Sequence, residues 1–71
     1  MTEPLSHRIE NAIQIAWDYL ERTGQIDDPG FTGRFLIEII GSMIRGGEQR
    51  RLVLSNRAIT AYEKLRQAQA A

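Results

Sequence analysis

Arg45, Arg50, Arg51 and Arg57 form the densest set of chemically able side chains in this sequence, gathered around a Gly46-Gly47 pair and a Ser55-Asn56 pair. Arginine with serine and asparagine at a helix start can contact phosphates and base edges. A helix-turn-helix lays such a helix in the major groove, typically as a dimer. Three features pull the other way: the apolar segment before Ser55 is short, no glycine marks a compact turn there, and the formal net charge is zero. Arginines so placed are more often a solvated face or partners for acids elsewhere. Anion or nucleic-acid contact through these four is therefore the runner-up expectation, with a local and modest electrostatic footprint.

The other reactive types are sparse. His7 is the single histidine, with Glu3 four residues before it and Asn11 four after. No further histidine or cysteine completes a metal-ligand set, so a solvated first-turn histidine is expected and no metal. Ser6 and His7 are not a nucleophile and its base, because neighbours in a helix point about 100° apart. Asp27 and Asp28 are the only adjacent carboxylates, and capping with turn formation accounts for them more simply than a divalent ion does. Gly30-Phe31-Thr32-Gly33-Arg34 combines glycines with a helix start, where free amides can hold an anion. No strand precedes it and no Lys-Ser/Thr pair follows, so a nucleotide site is not indicated. Trp17, Tyr19, Phe31, Phe35 and Tyr62 do not form a stacking platform by spacing and are expected to pack in a core or interface. Catalytic and cofactor-binding residues are thus not expected, and an enzyme is disfavoured.

The elements that must carry these residues are helices. Pro4 lies outside the first, Ser6 suits its N-cap and Gly24 the left-handed position that closes it, which predicts a helix over 6–23. Its apolar residues, Leu5, Ile9, Ala12, Ile13, Ala16, Trp17 and Leu20, share one face. Asp28-Pro29 reads as an N-cap followed by the first helical position, since proline has no amide hydrogen to leave unpaired there. A second helix over 29–45 follows, with Thr32 as a rival cap and with Arg34 and Glu38 spaced to pair on its surface. Gly46-Gly47 ends it. The last helix is expected over 48–68, its stripe being Leu54, Ala58, Ala61, Tyr62, Leu65 and Ala68. Leu52, Val53 and Ile59 fall off that stripe, so either Ser55 caps a fresh segment after a kink or the helix has a second contact surface.

Seventy-one residues make one domain, 1–71, in the size range where a single core is thin and association often helps. There is no cysteine, which removes disulfides and thiolate sites and fits a reducing compartment. No basic start with an apolar stretch and no long apolar run is present, so a soluble cytoplasmic protein with no membrane contact is expected. The zero net charge conceals a split. Residues 1–33 carry two bases against six acids and residues 34–71 seven bases against three acids, so the halves stand at −4 and +4. The acidic first helix is expected beside the basic last one.

The middle helix decides the rest. Phe35, Leu36, Ile37, Ile39, Ile40, Met43 and Ile44 sweep an arc of roughly 200°, about twice the stripe of a helix lying on one core. The expectation is an all-α fold of three helices in a hairpin-like arrangement, completed as a homodimeric helical bundle. Phe35, Leu36, Ile37, Ile40 and Ile44 are the candidate dimer or partner interface. Gly46-Gly47 offers a hinge for exchange of the third helix between subunits. The leading functional expectation is a small non-enzymatic interaction module: an adaptor, accessory subunit or modulator.

Overall fold

The computed structural model describes residues 5–70, and it is all helical: α1 (Leu5–Arg22), α2 (Pro29–Arg45) and α3 (Arg51–Ala70). Each helix packs against the other two. The side chains of Leu5 and Ser6 lie outside the described residues, as do Glu3 and Pro4; because α1 already includes Leu5, Ser6 sits inside the helix and not at the expected N-cap.

Both turns close in the same way. After α1, the Gln25 amide donates to the Leu20 carbonyl at 2.9 Å and the Gly24 amide to that of Glu21 at 3.1 Å, with Gly24 at φ +70°. After α2, the Glu48 amide donates to Met43 at 3.0 Å and the Gly47 amide to Ile44 at 3.0 Å, with Gly47 at φ +103°. These paired bonds satisfy the last carbonyls of a helix and need a residue free of the left-handed penalty, which glycine is.

The start of α2 is the expected one. Asp28 is extended and its carboxylate accepts from the Phe31 amide at 3.2 Å, while Pro29 takes the first helical position. Thr32 is not the cap. Its amide already donates to the Asp28 carbonyl at 2.9 Å inside the helix.

The expected start of α3 is corrected. Glu48, Gln49 and Arg50 are not helical, and the first helical bond runs from the Leu54 amide to the Arg50 carbonyl at 2.9 Å. Nor does α3 restart at Ser55. The buried Ser55 hydroxyl donates to the Leu52 carbonyl at 3.1 Å, which is how a serine within a helix satisfies itself, so it caps nothing. Of the residues left off the stripe, Ile59 packs on the core, whereas Leu52 is 67% exposed.

The core lies between all three helices. Ala12, Ala16 and Leu20 of α1, Leu36 and Ile40 of α2, and Leu54, Ala58 and Tyr62 of α3 are enclosed, with Ile9, Ile13, Trp17, Phe35, Ile39, Met43 and Ile44 packed around them. The described part of the α1 face expected from periodicity is the face buried.

Candidate functional site

The middle helix divides its apolar arc in two. Leu36 and Ile40 are wholly enclosed by the chain's own helices, which corrects their assignment to an outer interface: α1 and α3 already cover that side. Phe35 is half-buried, and its ring meets Tyr62 edge-on at a centroid distance of 5.7 Å, so its side of α2 faces α3. Ile44 is half-buried against the core. Ile37 is 54% exposed. Two residues beyond Phe35, it points to nearly the opposite side of the helix, away from α3. Of the five candidate interface residues Ile37 is the exposed one, with Ile44 partly so; Phe31, at the start of α2, is exposed as well.

The surface there is shallow as well as apolar. A Cβ placed on Gly33 would meet nothing within 4 Å, and one on Gly41 only the end of the Arg45 side chain at 3.5 Å. The ion pairs among the described residues are Glu48–Arg50 and Asp27–Arg66, so the expected Arg34–Glu38 pair is not made.

The arginine set is brought together only in part. Arg50 and Arg57 line a wide concavity of about 670 Å³ at the α2–α3 turn, with Met43, Gly46, Gly47, Glu48 and Gln49. Arg45 and Arg51 are exposed but do not line it. Arg50 is also engaged: the Glu48 carboxylate accepts from its Nε at 3.2 Å and Nη2 at 3.3 Å, and from the amides of Gln49 at 3.0 Å and Arg50 at 3.1 Å. The bonds from the Arg50 side chain and then its amide hold the Glu48 carboxyl at about 2, below its ordinary 4.5. A carboxylate of this chain therefore already occupies the place beside Arg50 that an external anion would take. Arg57 is left as the unengaged cation of the concavity.

One polar cluster has no signal in the sequence. Thr32 Oγ1 and the Tyr62 hydroxyl lie 2.8 Å apart, both residues being buried, and Tyr62 donates onward to the Gln25 carbonyl at 3.1 Å. A phenol has one proton, so Thr32 is the donor of the first bond. Arg66 donates to the same Gln25 carbonyl and to the Asp27 carboxylate, and Gln25 Nε2 donates to Glu63 at 2.9 Å. The cluster fastens the first loop to the second half of α3. Phe31, Phe35 and Tyr62 stand in a row beside it, with centroids 6.1 and 5.7 Å apart.

Among the described residues no group of three histidine, cysteine or acidic side chains is placed to hold a metal ion, and no helix is long and apolar enough to cross a membrane. What the fold defines is a small three-helix domain whose exposed large apolar side chains, among the described residues, are Ile15 and Tyr19 of α1, Phe31 and Ile37 of α2 and Leu52 of α3. The chain matches no family model, no curated protein and no solved structure.

Proposed function

We propose that this chain is a small, non-enzymatic helical interaction module, an adaptor, accessory subunit or modulator, that acts as a homodimer in the cytoplasm. The observation that carries this is Ile37, half in solvent at the middle of α2 on the side not covered by α3. A β-branched apolar side chain there gains from burial by a second surface. The charged groups that are drawn together, Glu48 with Arg50 and Asp27 with Arg66, fasten turns and loops. Exchange of α3 at the Gly46-Gly47 turn is a second route to the same dimer, because it trades each contact for its equivalent. Size-exclusion chromatography with light scattering over a dilution series tests the proposal. The expected result is a dimer mass that falls on dilution and is lost in Ile37→Glu. A folded single copy at every concentration overturns it.

The second reading is a nucleic-acid-binding regulator using Arg45, Arg50, Arg51 and Arg57. It draws support from the shared concavity of Arg50 and Arg57. Salt-dependent retention of DNA or RNA that is lost in Arg57→Glu would favour it, and indifference to both at low salt would retire it.

A further inference from the structure

We infer that two copies of this chain pack α2 against α2 in antiparallel, on a two-fold axis passing beside Ile37. This rests on the homodimer proposed above and adds its geometry. With Leu36 as the centre of the buried side, Gly33, Ile44, Ile37, Gly30 and Gly41 all fall between about 60° and 140° round the helix. They make a strip along the length of α2, on the side away from α3.

The fold itself has no use for these glycines. The glycines with positive φ are Gly24 and Gly47, both in turns. A Cβ on Gly33 would enter open space, and on Gly30 or Gly41 it would meet only side-chain ends at 3.5 Å or more. Glycine in such positions weakens a helix relative to alanine, and close approach of another backbone is the circumstance in which it helps.

The spacing is symmetric about Ile37. Gly33 and Gly41 stand four residues to either side, and Gly30 and Ile44 seven. On a two-fold axis each residue beyond Ile37 meets the one equally far before it. Ile44 then enters the gap over the partner's Gly30, Gly33 lies on the partner's Gly41, and Ile37 meets the partner's Ile37. Ile44 thus faces an absent side chain, Gly33 and Gly41 face each other and Ile37 faces its own copy, so the strip matches itself as an isologous contact needs.

Charge selects the orientation. Arg34 and Glu38 sit together at the edge of the strip, exposed and unpaired with each other. In the antiparallel pair Arg34 comes within about two residues' rise, roughly 3 Å along the axis, of the partner's Glu38, and the symmetry makes this bond twice. A parallel pair in register would set arginine beside arginine instead.

The chain contains no cysteine, so a single introduced thiol reports one position. Ile37→Cys should form a disulfide-linked dimer under mild oxidation, because only at the axis do equivalent residues come within bonding range. Leu52→Cys, at a still more exposed position on α3, should stay single. By light scattering, Arg34→Glu or Glu38→Arg should each weaken association about tenfold, and the two together should restore it. A dimer that cross-links through Leu52→Cys, or not at Ile37→Cys, or that the paired swap does not rescue, overturns this geometry and leaves the homodimer standing. A wild-type chain that is monomeric throughout removes both.

Discussion

Replacing Tyr62 with phenylalanine deletes one oxygen from the middle of the Thr32–Tyr62–Gln25 chain while keeping the ring that Phe35 packs against. The Gln25 carbonyl still accepts from Arg66. Thr32 Oγ1, in a residue with no exposure, loses the partner it had at 2.8 Å. An orphaned buried hydroxyl costs about 1–3 kcal/mol. A chain of this length is stable by roughly 4–10 kcal/mol, so the loss is a large fraction of the whole. Taken as about 2 kcal/mol, it lowers the thermal midpoint by roughly 8–16 °C. Urea and thermal unfolding followed by circular dichroism, at one fixed protein concentration, measure it. Adding Thr32→Val to Tyr62→Phe removes both ends of the bond, and the double variant should recover most of the stability lost by the single one. A loss below about 0.5 kcal/mol for Tyr62→Phe, or a double variant no better than the single, would refute the reasoning. It would mean that the threonine hydroxyl finds another acceptor in its own helix, such as the Asp28 carbonyl one turn back.

The remaining predictions concern the helix ends and the exposed strip. Asp28→Ala removes the acceptor for the Phe31 amide and should lower stability by about 1 kcal/mol in urea titrations. Gly33→Ala and Gly41→Ala should each stabilise the dilute monomer by up to about 1 kcal/mol, since the helix gains propensity and the new methyl meets no backbone; an increase in melting temperature checks this. Glu48 titrates at about 2 in the folded chain against an ordinary 4.5. Its contribution is therefore present above 4.5 and is lost as the pH falls through 2. The urea midpoints of wild type and Glu48→Gln should differ by a constant amount above that window and converge within it. A gap that persists at pH 2 would show that Glu48 acts through packing alone.

The boundaries of α2 were legible because their signals are local: Asp28-Pro29 is both cap and first helical residue, and Gly47 supplies the left-handed turn. The start of α3 was not, since Glu48-Gln49-Arg50 is a helix-compatible triplet. It stays out of the helix because the closing bonds of α2 reach to the Glu48 amide and the Glu48 carboxylate folds onto the next two. Ser55 has the composition of a cap, but whether its hydroxyl starts a helix or bonds back into one depends on the state of residues 51–54. The excess apolar arc of α2 was visible, whereas which part of it is core depends on where two other helices sit, and Leu36 and Ile40 proved to be on the inner side. The Tyr62–Gln25–Arg66 cluster joins residues 37 and 41 positions apart, a separation that no periodicity reports.

Three of the enclosed core side chains, Ala12, Ala16 and Ala58, are single methyl groups contributed by α1 and α3. Where only a methyl group fills the space beside a buried helix face, a larger group must push a whole helix outward. Mutational drift in descendants of this sequence is accordingly one-sided at these three positions: glycine loosens the packing, valine or leucine overfills it, and a bulkier residue survives only with a matching reduction in a neighbouring core side chain. The positions open to divergence in size are on the outer edges of the bundle, where a change alters what the domain meets before it alters how the domain folds.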